Sequence, residues 1–277
     1  MTVLEPDVNH SDWDCNLSPS PPWGARGFEI ALRLGFRLIK GLRHADAEAL
    51  TTARRTGGPF RDAYDLWRRS GLTPAALQRL AEADAFRSLG LDRRAAFWAI
   101  RALGPEPLPL FARLDDPTRT EPPVRLPDMA LGEHVVEDYA SLSLSLKCHP
   151  LALLRDALTP AGIVPARRLG EVRHGARLTV AGLVLVRQRP GSARGVVFLT
   201  LEDETGVANL IVVPPVLERF RTAILTARLL AATGRVERQG EVIHLLVDHL
   251  TDQTHRLRDL TAEPASRHTF PDGRNFR

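Results

Sequence analysis

The chain has 277 residues, a net charge of +4 and 44% hydrophobic residues, a length that supports one to three domains with substantial cores. Its two cysteines, Cys15 and Cys148, lie far apart without CxxC or Cys/His spacing, and its nine histidines are scattered; this argues against a disulfide framework, a structural zinc site or a metal cluster. No apolar stretch approaches the ~18 residues of a membrane span and no charged-then-apolar leader opens the chain, so a reduced, cytoplasmic protein with no membrane partner is expected.

Charge is unevenly placed. Residues 1–23 carry four acids and no Lys or Arg, residues 24–103 carry fifteen bases against eight acids, and residues 104–147 return to a net −4. A basic block between acidic neighbours is the pattern of a polyanion partner.

Residues 1–27 are polar and rich in turn formers but include Trp13. An exposed tail seldom keeps a tryptophan without a partner, so this stretch reads as a connecting segment of a larger fold, begun partway. Residues 28–103 are predicted to be a helical domain. Its informative segment runs from Ile39 to Leu50, where a helix ends at a glycine turn and a small and an apolar residue follow at fixed offsets. That is the helix-hairpin-helix pattern, in which the turn and the next helix start offer backbone N–H groups to a DNA phosphate. Gly41, Ala47 and Leu50 fit it, whereas Arg43 replaces the second turn glycine and leaves an ordinary helical turn as the alternative. The candidate DNA contacts here are Lys40, Gly41, Leu42 and Arg43. Further helices are expected over 62–70, from the Thr73 cap and Pro74 onward, and over 93–103 with Phe97 and Trp98 facing inward.

Residues 104–132 form a proline-rich linker with no sustained period. Within it, Leu108, Leu110 and Phe111 have the form of a short peptide that docks in the apolar groove of a sliding clamp. Pro107 stands where the usual glutamine would be, and the alternative is a linker anchored by Phe111 on its own helical domain. Residues 133–170, with Leu144-Ser145-Leu146-Lys147-Cys148-His149-Pro150, read as a packed connector.

Residues 171–255 read as a five-stranded OB-fold β-barrel, and residues 256–277 as a flexible C-terminal tail. Strands are predicted from Leu178 to Val186, Val196 to Leu201, Val207 to Val213, Leu229 to Val236 and Val242 to Val247, with a helix over 216–223 plugging the barrel after the third. The overall expectation is an α+β multidomain chain, a helix-hairpin-helix domain followed by an OB-fold. In this barrel the loops joining strands one to two and four to five flank the ligand face, which holds single-stranded nucleic acid or oligosaccharide. The first loop is assigned Arg187, Arg189 and Arg194 and the second Arg235 and Arg238, five guanidiniums suited to phosphate. The alternative is an ordinary solvated surface. Phe198 is expected in the core, so binding should lean on electrostatics and fall steeply with salt.

Several ordered segments carry a resemblance: Asp7-Val8-Asn9-His10-Ser11-Asp12-Trp13-Asp14, Leu38-Ile39-Lys40-Gly41-Leu42, Gly58-Pro59-Phe60, Ala85-Phe86-Arg87-Ser88-Leu89-Gly90, Leu144 to Leu151, and Leu201-Glu202-Asp203-Glu204-Thr205-Gly206. Over about residues 5–255 the chain resembles the C-terminal portion of the error-prone DNA polymerases of the bacterial C family, relatives of the replicative polymerase alpha subunit. The resemblance implies translesion synthesis in replication and repair after DNA damage, with single-stranded template and primer-template duplex as partners. It further implies a catalytic polymerase portion, the sliding clamp and other translesion proteins as partners. Residues 1–27 would be the end of the fingers. The family's chemistry uses palm aspartates holding magnesium ions, which lie upstream of anything matched, so no catalytic residue or cofactor is expected in this chain and it should not polymerise DNA alone. A self-standing single-strand-binding module without catalysis is the alternative, and an OB protein for tRNA or oligosaccharide a weaker one.

Overall fold

The computed structural model describes residues 2–19, 30–103, 126–261, 270 and 273–276. They fall into two compact units, residues 1–129 and 130–277.

The first unit opens with strands β1 (Thr2–Leu4) and β2 (Asn16–Pro19) on either side of β3 (Ile30–Arg33), β1 parallel and β2 antiparallel to it. A single 3₁₀ turn at Phe36–Leu38 leads to α1 (His44–Gly57), α2 (Ala63–Ser70), α3 (Pro74–Glu82) and α4 (Arg93–Arg101). Each of the last three helices starts where a side-chain oxygen takes an otherwise unbonded amide. Asp62 accepts from Asp65 N–H, Thr73 from Ala76 N–H and Asp92 from Ala95 N–H.

Two expectations change here. Residues 30–33 are a strand, because their amides pair with β1 and β2. The described part of residues 1–27 is bonded into the helices, as a connecting segment of a larger fold would be. Val8 N–H donates to the Ala85 carbonyl, Ser88 N–H to the buried Asp7 carboxylate, and the Asn9 amide exchanges two bonds with the Phe60 backbone. Arg54 donates to the Val8 and Ser11 carbonyls and to Asp12. In α4 the inward face is Arg93, Ala96 and Ile100; Trp98 is exposed and Phe97 only half-buried, against expectation.

The second unit begins with α5 (Leu131–Leu142), α6 (Pro150–Leu158), the short strand β4 (Ile163–Val164) and α7 (Arg168–Glu171). The barrel strands are β5 (Arg177–Gln188), β6 (Val197–Asp203), β7 (Gly206–Val212), β8 (Leu229–Gln239) and β9 (Val242–Asp252). Their order β5-β6-β7-β9-β8 closes because the long β5 pairs with β8 through residues 177–183 and with β6 from 183 onward. This is the OB-fold barrel. Two short helices, α8 (Pro214–Arg219) and α9 (Arg221–Thr226), stand between β7 and β8 and send Leu217 and Ile224 into the barrel core.

A second core lies outside the barrel wall. Tyr139, Leu151, Leu154 and Leu158 of α5 and α6 cover Ala181 and Leu183 of β5 and Leu229 and Ala231 of β8. Full burial of Leu151 and Leu158 stabilises this junction by about 1.5–3 kcal/mol each. Residues 133–170 are therefore half of a core, more than a connector. The described part of 256–277 is likewise no loose tail. Leu257, Leu260 and Phe270 are buried in that core, and β10 (Arg274–Phe276) runs parallel beside β5.

The acidic turn at 203–206 locks both cores together. Asp203 is buried and accepts from Thr205 N–H and hydroxyl, from Ala166 N–H and from Arg155, which also donates to Glu204. Gly206, at φ +142°, lets the chain reverse into β7.

Candidate nucleic-acid interface

In the first unit the hairpin turn is Lys40-Gly41, with Gly41 at φ +77°, a conformation glycine adopts without penalty. What precedes it is one 3₁₀ turn, shorter than the helix the pattern predicts. Lys40, Gly41 and Arg43 are exposed, and partial desolvation lowers the Lys40 pKa. Leu42 is buried; it anchors the turn and corrects its assignment as a DNA contact. Arg43, at the N-cap of α1, makes a two-armed bond to Asp46, at 2.9 and 2.7 Å. That hydrogen bond holds the Asp46 carboxyl below its ordinary range and neutralises the acid in the first turn. Arg43 supplies no side-chain cap, and the first helical amides, His44 and Ala45, have no intrahelical acceptor. The helix start can therefore take an anion. Trp13 packs edge-on against His44, ring centroids 4.6 Å apart, which gives the tryptophan its partner.

The five barrel arginines separate. Arg187 lies in β5, not in a loop, and is buried; its guanidinium donates to the Ile224 carbonyl at 2.6 Å and to the Ala227 carbonyl. Arg238 lies near the end of β8 and donates to the carbonyls of Leu169, Gly170 and Val172, pinning the end of α7. Both are fold-holding groups, a correction to their placement as phosphate contacts in loops. Arg189 and Arg194 are exposed in the loop between β5 and β6. Arg235 is exposed too, but on β8 itself, opposite Arg177 of β5 and Leu246 of β9.

Following those pairings around the barrel reveals a row. Gln188 pairs with Phe198, Phe198 with Ile211, Ile211 with Leu246, and Leu246 with Arg235. Residues directly opposite share a face, and none of these five belongs to the barrel core. Four steps between neighbouring strands span about 19 Å. Phe198 is thus on the outer surface, against expectation, because β6 alternates with Val197, Leu199 and Leu201 inward. Thr200 and Asn209 form the next pair on the same face. Sequence reasoning missed Ile211, Leu246 and this pair; the parity of β6 and β7 was the available signal.

Among the described residues no group of three or more His, Cys, Asp or Glu could hold a metal ion. No helix among them is long and apolar enough to cross a membrane. Leu108, Leu110 and Phe111 lie outside the described residues.

The helix-hairpin-helix motif model matches residues 1–96, and the OB-fold nucleic acid binding domain model matches residues 178–252. Error-prone DNA polymerase 1 of Rhizobium meliloti is 47% identical over 272 residues, covering 92% of this chain and 24% of that protein. The error-prone DNA polymerase of Ruegeria pomeroyi is 51% identical over 255 residues, covering 91% and 22%. Over most of its length the chain matches a segment of these error-prone DNA polymerases. It spans about a quarter of the length of these polymerases. Its two matched regions are of nucleic-acid-binding type, and they contain, respectively, the Lys40-Gly41 turn and the outer barrel row.

Proposed function

We propose that this segment of an error-prone polymerase holds DNA, with the first unit gripping duplex phosphate and the barrel carrying single-stranded template across its outer row. The observation that carries the reading is the row itself. Phe198, Ile211 and Leu246 give a half-buried apolar strip for base faces, flanked by Gln188 and Arg235, with Arg189 and Arg194 in the adjoining loop for phosphates. At the hairpin, Lys40 and Arg43 flank the open amides of the α1 start, a combination suited to one phosphate.

Translesion synthesis in repair and replication after damage is the setting we assign to the whole polymerase. The sliding clamp and other translesion proteins are further partners in this reading, with Leu108, Leu110 and Phe111 assigned to the clamp. Primer extension belongs to the catalytic portion of the polymerase.

The test is strand binding by fluorescence anisotropy. Phe198→Ala should weaken binding of a twelve-thymidine strand about tenfold, since stacking on one aromatic contributes roughly 1–3 kcal/mol per base. Unchanged affinity would remove the row as the binding surface.

A further inference from the structure

We propose that the cavity between the α5–α6 connection and strands β5 and β6 is a pocket for a single nucleobase, guanine by preference, turned out of a strand on the barrel's outer face. The inference rests on the single-strand reading above. It also gives a role to the Leu144–Pro150 segment, which the DNA-holding row leaves unused.

The cavity measures about 270 Å³, with Leu144, Leu183 and Leu185 among its apolar walls and His149 and Glu202 among its polar groups, beside Tyr139, Ser143 and Ser145. Small-molecule pockets start near ~300 Å³, so this one suits a base and not a chain of nucleotides. His149 Nδ1 accepts from Leu151 N–H at 3.2 Å, which places the proton of the neutral ring on Nε2. Burial lowers the His149 pKa and so favours that neutral ring. Nε2 is buried without a hydrogen-bond partner. Glu202 Oε2 is its nearest acidic neighbour at 4.0 Å, beyond hydrogen-bond reach.

A buried donor left unbonded costs about 1–3 kcal/mol, and a ligand acceptor placed against it recovers that cost. The pocket therefore presents a donor beside a carboxylate acceptor, between apolar walls. The Watson–Crick edge of guanine matches this order. Its O6 accepts from His149 Nε2–H, while N1–H and the N2 amino group donate to the two oxygens of Glu202. Thymine offers the carboxylate one donor only. Reading an extruded base by its Watson–Crick edge between apolar side chains is an established way of holding one. Access comes from the outer face: Glu202 and Phe198 share the outward parity of β6, four residues and about 13 Å apart.

The experiment compares the affinity of the full chain for a twelve-thymidine strand with that for the same strand carrying one central guanine. One guanine should tighten binding about tenfold, the scale of a good bidentate base contact. In Glu202→Gln the ratio of the two affinities should fall to about 1, because one carboxylate acceptor becomes a donor. A second arm titrates dGMP and dTMP while following the His149 ring nitrogens by NMR; dGMP should move Nε2 and dTMP should not. Failure of the thymidine strand to bind while dGMP moves His149 would sink the single-strand reading and leave the pocket standing. A thymidine strand that binds with no guanine preference, with His149 unmoved by dGMP, overturns the pocket.

Discussion

Replacing Arg187 with methionine separates a fold-holding arginine from a DNA-holding one. The side chain is 6% exposed and donates to two carbonyls at the end of α9, those of Ile224 and Ala227. Methionine fills similar space but leaves both acceptors unbonded in the interior. Each stranded buried group costs about 1–3 kcal/mol, so Arg187→Met should lose about 3 kcal/mol, in the lower half of the summed range because the site relaxes in part. For a domain near 150 residues, each kcal/mol shifts Tm by roughly 2–4 °C, giving a drop of about 6–12 °C. Thermal melts followed by circular dichroism read this directly, with strand affinity measured below the melt as the second channel. The expected pair of results is a lower Tm with strand affinity held. An unchanged Tm together with lost strand binding would refute the argument, because Arg187 would then be meeting phosphate.

The exposed loop pair should behave in the opposite way. Arg189→Ala with Arg194→Ala should leave Tm within about 1 °C, as surface changes usually do, and should flatten the dependence of log affinity on log salt by about 1.4 for two lost single-strand phosphate contacts. A slope equal to that of the native chain would mean that neither arginine meets phosphate. The pH dependence of stability follows from His149, whose folded pKa lies below its ordinary value of 6.5 because burial disfavours the charged ring. Below 6.5 the unfolded state binds the proton first, so the second unit should lose stability as pH falls from that point toward the lower folded pKa. His149→Asn keeps a capping oxygen for Leu151 N–H and removes the titration; urea melts should show a shallower loss across the same window, and an identical loss would count against this assignment.

Much of the architecture was readable in the chain. The alternation of Val197, Leu199 and Leu201 and of Ala208, Leu210 and Val212, set between Pro and Gly punctuation, marks strands with one buried face. The caps at Asp62, Thr73 and Asp92 mark helix starts, because short side chains there satisfy amides that the helix leaves open. These signals are local, and local chemistry carries them. Long-range partners were not readable. Nothing near Asp7 in sequence announces the Ser88 amide it accepts from, and nothing near Tyr139 announces Phe270.

The five barrel arginines show the division most clearly. Composition and turn residues placed them near the two ligand loops, but their use depended on strand parity and on which carbonyls lay within reach. Val180 and Val184 point into the barrel, and unbroken alternation would have turned Arg187 outward. The register shifts between Val184 and Val186, and Arg187 comes to lie opposite the inward Leu199. One extra residue in a strand reverses every side chain beyond it. The sequence determined that there would be a barrel, a helical unit and an abundance of guanidinium groups. Only the tertiary structure decided which of those groups hold the protein together and which face solution, because a bulge and the ends of α7 and α9 are set by packing between distant segments.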